Sequence, residues 1–137
     1  MRRMLEAAHA LAVRVYYEDT DFGGVVYHAN YLRFMERGRT EFIRARGIVQ
    51  SELRDEAGEA LTFVVRHMDI DFLRPGRMDD LLRVETRVAK RGGASVAMAQ
   101  RVLRGDEVLV TASVTVVLVG GGRPRRIPAD LGRKLFD

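Results

Sequence analysis

The spacing of apolar residues changes along the chain, and each change marks a different kind of segment. Over residues 10–18 apolar and polar positions alternate, which predicts a β-strand. Over residues 30–46 the apolar positions recur at steps of three and four, which predicts an amphipathic helix. Its apolar stripe comprises Tyr31, Leu32, Met35, Gly38, Phe42 and Ala45. Phe34 and Ile43 lie off this stripe, so we expect the helix to be covered on more than one side.

The second half of the chain has a period of two, which predicts a run of β-strands. We expect four, separated by turns that contain glycine, at residues 61–73, 80–90, 94–103 and 107–119. A short polar helix is predicted between the long helix and this run, at residues 51–57. After the strands, residues 123–128 are predicted to be an extended basic tail and residues 129–136 to form one or two helical turns.

This order of elements predicts an α+β fold. Consecutive strands with tight turns favour an antiparallel meander, and the long helix must bury its apolar stripe against that sheet. We therefore expect an antiparallel sheet wrapped around one central helix, in a single domain that spans residues 1–137. The sheet edges and one sheet face remain uncovered in this arrangement, and a dimer that extends the sheet would cover an edge.

The composition narrows the possible chemistry. The chain has no cysteine, which excludes thiol nucleophiles, disulfides and thiolate metal sites. Its three histidines lack ligand spacing, so no metal site is expected. No apolar run approaches the roughly 18–20 residues that span a bilayer, so we expect no stable membrane insertion. Glu6 and His9 interrupt the apolar N-terminal stretch, so we expect a cytoplasmic protein without a secretory signal.

The net charge of +4 and the pI of about 9.9 raise the question of a nucleic-acid partner. However, the basic residues are spread along the whole chain, and all but Lys90 and Lys134 are arginine. They are also not interleaved with aromatic residues, as a single-strand binding groove requires. We therefore predict no nucleic-acid partner, although the charge suits a polyphosphate ligand.

The candidate chemistry lies in residues 16–31, which read YYEDTDFGGVVYHANY. An acidic cluster that includes Asp21 is followed by Gly23 and Gly24, which permit backbone conformations that other residues avoid. Asn30 is placed to cap the N-terminus of the long helix. A carboxylate, a glycine turn and a helix N-terminus therefore come close together, and such a site can polarise a carbonyl group and attack it.

The sequence also resembles a known family. The stretches that carry the resemblance are VYYEDTDFGGVVYHANYLRFMERGRTEFIR, FVVRHMDIDFLRPGRMDD and RGGASVAMAQRV, and it extends from Arg14 to about Pro128. They resemble the hotdog-fold acyl-CoA thioesterases of the 4-hydroxybenzoyl-CoA thioesterase type, in the branch associated with the bacterial Tol-Pal system. The resemblance implies hydrolysis of acyl-CoA to free acid and CoA without a cofactor, since coenzyme A is part of the substrate. It also implies a homodimer or homotetramer with active sites at the dimer interface.

Catalytic roles follow from the resemblance residue by residue. The family's catalytic aspartate corresponds to Asp21, and its glycine corresponds to Gly24. The backbone N–H that polarises the thioester carbonyl corresponds to His28, whose side chain could also assist. The predicted substrate-binding residues are Tyr27 and, near the nucleotide end of coenzyme A, Lys90, Arg91 and Ser95.

Several of these residues have a simpler structural interpretation. Asp21 could only shape its turn, as aspartates in loops often do. If it is catalytic, it could attack the carbonyl or deprotonate a water molecule. Asp19 is expected to brace the loop, Glu36 to form a salt bridge or interface contact, and His67 to be structural.

Two other functions remain open on the sequence. One is a protein that binds acyl-CoA or acyl carrier protein without hydrolysis. The other is a hotdog hydratase or dehydratase, which would need an acid–base pair acting on a hydroxyacyl chain. The glycine-rich loop beside a helix N-terminus fits acyl transfer better.

Overall fold

The computed structural model describes residues 8–137; the first part of the N-terminal stretch, residues 1–7, lies outside the described residues. The elements in chain order are β1 (His9–Arg14), α1 (His28–Ala45), β2 (Thr62–Phe72), β3 (Leu81–Arg91), β4 (Ser95–Arg104), β5 (Glu107–Gly120), β6 (Arg123–Pro124) and α2 (Ala129–Phe136). The strands form one antiparallel sheet in the order β1-β3-β4-β5-β2, and β6 pairs with β5. Helix α1 packs against this curled sheet, as predicted.

The sheet order corrects the predicted meander. Strands β3, β4 and β5 are consecutive neighbours, but β2 pairs with β5 instead of β3. The β2–β3 connection is held at the start of α1: the Gly76 carbonyl accepts the Val26 N–H at 2.8 Å, and the Gly76 N–H donates to the Tyr31 hydroxyl at 2.9 Å. This connection therefore runs from the edge strand β2 past β5 and β4 to β3, instead of forming a hairpin.

The first strand and the helix start also differ from the prediction. Strand β1 ends at Arg14, after which the chain makes a 3₁₀ turn at Tyr17–Asp19. Helix α1 begins at His28, so Asn30 lies inside the first turn and does not cap it. Its side chain instead donates to Asp19, eleven residues earlier, at 2.8 Å.

Helix α1 is buried on a wider face than its main stripe suggests. Phe34 and Ile43 are buried, as expected for a helix covered on more than one side, whereas Leu32 and Ala45 of the predicted stripe are exposed. Gly38 allows a close approach of helix and sheet, because a Cβ there would lie 2.7 Å from Cγ1 of Val84. The sheet thus fixes the position of α1 along most of its length.

The C-terminal segment is packed more closely than a solvated tail. Strand β6 pairs with β5, and Arg125 forms ion pairs with Asp55 and Glu59. The helix predicted at residues 51–57 is reduced to a 3₁₀ turn at Gln50–Glu52. Helix α2 confirms the helical turns predicted at residues 129–136.

Candidate active site

The acidic loop is a small antiparallel turn that leads into α1. A β-bridge joins Thr20 to Val26, and the Asp21 N–H donates to the Val25 carbonyl at 2.8 Å. The Gly24 N–H closes the turn onto the Asp21 carbonyl at 3.0 Å. Gly24 has a φ of +84°, in the left-handed region that side chains rarely adopt, which explains a glycine at this position.

Asp19 is the buried carboxylate of this loop. Its Oδ2 accepts the Tyr16 N–H at 2.8 Å, its Oδ1 accepts the Asn30 side-chain amide at 2.8 Å, and its carbonyl accepts the Tyr27 N–H at 2.9 Å. It is 7% exposed. Asp19 therefore ties the loop to the first turn of α1, which confirms its predicted bracing role.

Asp21 is exposed, and its carboxylate is only partly used by the loop. Oδ1 accepts the Gly23 N–H at 2.9 Å and the Val25 N–H at 3.4 Å, whereas Oδ2 accepts no hydrogen bond from residues 8–137. These contacts fix the direction of the side chain and leave one oxygen open to solvent. Asp21 thus both shapes its turn and presents an accessible carboxylate oxygen.

The N-terminus of α1 presents a backbone donor beside this loop. Tyr27 is the N-cap residue and provides no side-chain acceptor. Within the described range, the His28 N–H donates to no backbone carbonyl outside the helix, and its position at the first helical residue gives it no intrahelical partner. The exposed His28 ring contacts Tyr27 and Phe72, with ring centroids 4.7 and 6.0 Å away.

A buried tyrosine in the first turn of α1 connects the helix start to the β2–β3 connection. Tyr31 is 3% exposed and accepts the Gly76 N–H through its hydroxyl oxygen. Burial raises the pKa of Tyr31 above 10.0, although the hydrogen bond from Gly76 opposes that rise. The loop, the helix start and the β2–β3 connection are therefore held together by buried polar contacts.

The predicted substrate-binding residues fall at two ends of the molecule. Tyr27 adjoins His28, but Lys90, Arg91 and Ser95 lie at the far end of the β3–β4 hairpin. Ten residue steps along β3 separate Leu81, near the loop, from Arg91, which is about 30 Å in an extended strand. One copy of the chain therefore does not bring the two groups together.

Two further residues at these ends were not predicted from the sequence. Arg126, in the predicted extended basic tail, lies against the β3–β4 turn because the Ile127 N–H donates to the Gly93 carbonyl at 2.9 Å. It adds a third basic residue beside Lys90 and Arg91; the Arg91 guanidinium itself lies 4.2 Å from the Phe136 ring centroid. The second residue is Phe72, whose ring contacts His28. This contact depends on the pairing of β2 with β5 at the sheet edge, which the sequence analysis did not predict.

The remaining candidates have local partners. Glu36 accepts a hydrogen bond from Thr40 at 3.1 Å and forms no ion pair among residues 8–137. His67 contacts the carboxylate of Asp69 at 3.2 Å on the exposed part of β2. The described residues contain no group of three or more His, Asp or Glu side chains that could hold a metal ion. They also include no helix that is long and apolar enough to span a bilayer.

An antiparallel sheet curled around one helix, with this loop at the helix N-terminus, defines the hotdog class of proteins, in agreement with the prediction. Residues 23–115 match the Thioesterase superfamily, and the chain belongs to this family. The acyl-CoA thioesterase YbgC of Haemophilus influenzae is 44% identical over 90% of this chain and 90% of its own length.

Solved structures agree with this assignment. A protein from Bartonella henselae described as "Probable Thioesterase" is 50% identical, with a TM-score of 0.85 over 89% of this chain and 100% of that one. A thioesterase from Thermus thermophilus, complexed with coenzyme A and Zn, is 29% identical, with a TM-score of 0.78 over 96% of this chain and 99% of that one. The resemblance noted in the sequence is thus confirmed.

Proposed function

We propose that this chain hydrolyses acyl-CoA thioesters, with Asp21 as the catalytic carboxylate and the His28 N–H as the donor that polarises the carbonyl. The observation that carries the proposal is the exposed Oδ2 of Asp21, unpaired among residues 8–137, on a loop that leads directly into a helix whose first N–H has no backbone acceptor in that range. The name of the Haemophilus influenzae relative and the coenzyme A in the Thermus thermophilus structure support this substrate class.

The helix N-terminus would supply electrostatic stabilisation. Negative charge develops on the carbonyl oxygen of a thioester when a nucleophile attacks, and free N–H groups at a helix start stabilise that charge. Because the His28 N–H is already oriented by the helix, no rearrangement is needed during the reaction. The His28 ring, exposed at the same place, is a candidate to contact the substrate.

Asp21 could promote hydrolysis of the thioester by either of two routes. As a nucleophile, an Asp21 oxygen bonds to the carbonyl carbon, the C–S bond breaks, and CoA leaves as a thiolate; water then hydrolyses the resulting anhydride. As a general base, Asp21 takes a proton from water while the water oxygen bonds to the carbonyl carbon; the C–S bond then breaks, and the proton passes from Asp21 to the leaving CoA thiolate. Both routes yield the free acid and CoA.

The proposal includes a homodimer or homotetramer. The basic group at Lys90, Arg91 and Arg126 lies about 30 Å along β3 from the loop of the same chain. A second copy would bring its own basic group toward this loop. These residues, with Ser95, would then contact the anionic nucleotide part of coenzyme A.

The main test is thiol release from a panel of short, long and aromatic acyl-CoAs. Asp21→Asn should lower kcat/KM by roughly 10²–10⁴ on the best substrate, the usual contribution of a positioned catalytic base. Asp106→Asn, which changes another exposed aspartate at the β4–β5 turn, is the matched control and should behave like the parent protein. If Asp21→Asn and Asp106→Asn are equally active, Asp21 only shapes the loop.

A second test removes the backbone donor itself. Proline is tolerated at the first helical position, and Tyr27 has φ −63° and ψ 130°, a conformation that suits a residue before proline. His28→Pro should therefore fold and lose roughly 10²–10³ in kcat, as expected for one lost oxyanion donor. His28→Ala keeps the N–H and should lose less; equal losses in both variants would assign the effect to the ring.

The non-hydrolytic alternative has its own outcome. The hydrogen bonds from Gly23 and Val25 to the Asp21 carboxylate are compatible with a purely structural aspartate. If the protein binds acyl-CoA in a calorimetric titration but releases no thiol from any substrate, it is a carrier and the hydrolytic proposal is wrong.

A further inference from the structure

Three short segments form a ladder at the candidate active site, and Val25 and Val26 are its middle segment. On one side the Asp21 N–H donates to the Val25 carbonyl at 2.8 Å. On the other side an antiparallel β-bridge joins Val25 to Arg77, and the Val26 N–H donates to the Gly76 carbonyl at 2.8 Å. The β2–β3 connection therefore extends the loop that carries Asp21, and Arg77 lies beside Val25.

Asp21, Val25 and Arg77 share the solvent face of this ladder. The bridge between Thr20 and Val26 places Asp21 opposite Val25, and opposite residues of antiparallel segments point to the same face. Val26, which points to the other face, is buried, whereas Asp21 and Arg77 are exposed. Neighbouring strands lie about 4.8 Å apart, so the Cα atoms of Asp21 and Arg77 are separated by roughly 10 Å, with Val25 between them.

The guanidinium of Arg77 forms no hydrogen bond or ion pair among residues 8–137. The neighbouring carboxylates have other cationic partners: Glu107 pairs with Arg74 at 3.6 Å, and Asp80 pairs with Arg104 at 2.6 Å. Asp80 also accepts the backbone N–H of Arg77 at 2.8 Å. The backbone of Arg77 is therefore fixed on both sides, and its charge is available to a ligand.

Hydrolysis of a thioester places negative charge on two atoms of the substrate. The carbonyl oxygen becomes negative when it is attacked, and the sulfur receives the electron pair of the C–S bond when that bond breaks. In the proposed site the His28 N–H stabilises the charge on the oxygen, so the sulfur requires another group. A cation on the side of Val25 away from Asp21 can supply it.

We propose that Arg77 is a further catalytic residue, whose guanidinium stabilises the negative charge on the departing sulfur. The inference rests on the proposed thioesterase function. As the C–S bond breaks, its electron pair moves to the sulfur beside the guanidinium, and the acyl carbon keeps its bond to the oxygen of Asp21 or of water. A guanidinium remains protonated, so it stabilises the thiolate without transferring a proton. The thiolate then takes its proton from Asp21 or from solvent.

The test uses three thioesters of the acyl group that the parent protein hydrolyses best, which differ only in the thiol. CoA and N-acetylcysteamine are alkyl thiols of similar acidity, but only CoA carries the anionic nucleotide. Thiophenol is more acidic, so its thiolate needs less stabilisation. Arg77→Met should lower kcat/KM by roughly 10- to 100-fold for the CoA and N-acetylcysteamine esters, less than a buried oxyanion donor because solvent screens an exposed cation. The loss for the thiophenyl ester should be clearly smaller.

Two further variants locate the effect. Arg77→Lys keeps the charge without the planar donor group and should recover part of the loss with the two alkyl thioesters. Arg74→Met is the matched control, since it removes another exposed arginine of the same connection and should keep the parent values with all three esters. Arg77→Met should fold, because the side chain is exposed and the backbone N–H to Asp80 is retained.

The outcomes separate the two proposals. If the parent protein releases thiol from none of the acyl thioesters, the proposed function fails, and this inference fails with it. If the parent is active and Arg77→Met matches Arg74→Met, only this inference is wrong. It is also wrong if the loss is confined to the CoA ester, because Arg77 then binds the nucleotide part. An equal loss with all three esters would contradict it as well, since Arg77 would then act on the carbonyl or on the loop.

Discussion

Asp19 and Asp21 are the same chemical group two positions apart, and the structure uses them differently. Asp19 is buried, and both of its carboxylate oxygens accept hydrogen bonds from the protein. Asp21 is exposed, and one of its oxygens is free within the described part of the chain. A carboxylate whose acceptors are all occupied stabilises the fold, whereas one with spare capacity is available to a ligand.

The two aspartates also differ in how their roles can be established: one role follows from observed contacts, and the other depends on a substrate. The bracing role of Asp19 can be read from its contacts, since every hydrogen bond it makes ends on the loop or on α1. The catalytic role of Asp21 depends on a substrate and stays a proposal. Variants can test whether polar groups with hydrogen-bond partners inside the protein contribute more to stability than polar groups that face solvent.

The largest effect on stability is expected from Asp19→Ala. The change leaves the Tyr16 N–H and the buried Asn30 amide without acceptors, which should lower the free energy of unfolding by about 2–4 kcal/mol. Asp21→Ala should lower it by less than about 1 kcal/mol, because its partners are exposed. Urea unfolding of both variants measures the difference; equal losses would remove the distinction between the two residues.

Two glycines, Gly38 and Gly24, extend the comparison to the room that the fold leaves for a side chain. Gly38→Ala places a methyl group 2.7 Å from Val84 and should cost about 1–3 kcal/mol through overpacking. A methyl group at Gly24 would meet no described atom within 4 Å, so the cost of Gly24→Ala, about 1–2 kcal/mol, comes from the positive φ alone. Crystal structures of the variants provide the check: the Gly38 variant should shift α1 from the sheet, and an unmoved helix would contradict the packing argument.

Tyr31→Phe tests a single buried bond near the loop. It leaves the Gly76 N–H without its acceptor and should cost about 1 kcal/mol. Since burial raises the pKa of Tyr31, the protonated form favours folding, and the parent protein should lose stability as the pH rises above 10.0. The variant should lose less over the same alkaline range. Parallel alkaline slopes in thermal unfolding would show that Tyr31 does not titrate on unfolding.

The smallest effect is expected from Asp80, whose carboxylate is less buried than that of Asp19 and more buried than that of Asp21. Burial raises its pKa, but hydrogen bonds from the Arg77 N–H and the Arg104 side chain together hold the pKa below 3.8. The stability it contributes is therefore present above pH 3.8 and lost as the pH falls through its folded-state pKa. Asp80→Asn should flatten the acid limb of thermal stability slightly, and an unchanged limb would exclude this contribution.

The local elements could be predicted from the sequence because periodicity is a local property. The long helix and the four later strands were found within a few residues, and the loop motif indicated the family that the comparisons confirm. The order of the strands could not be predicted, because it depends on a contact between Gly76 and the helix start at Val26 and Tyr31. No turn signal near Gly76 reveals a partner 45 residues away.

The errors at Asn30 and Arg125 have the same origin. Asn30 has the side chain of a helix cap, but Asp19 binds its amide and the helix begins earlier. Arg125 was expected in an extended basic tail, but Asp55 and Glu59, distant in sequence, pair with it. The burial of Arg39 could not be predicted either, because its place on a charged helix surface gives no sign of it; residues of β2 and β4 lie beside it only in the folded chain. The site residues themselves remain predictions for kinetics to test.

The strand order also has a consequence for how the chain reaches its native state. The strands at the two edges, β1 and β2, come first in the chain, but they pair with β3 and β5. His9 lies opposite Thr86, and Thr62 lies opposite Val119, so both edges close over long stretches of chain. Such non-local pairing slows folding, since loop-closure entropy is lost before the contacts form. During synthesis β1 must wait for β3 and β2 for β5, and both strands are open to wrong partners until then.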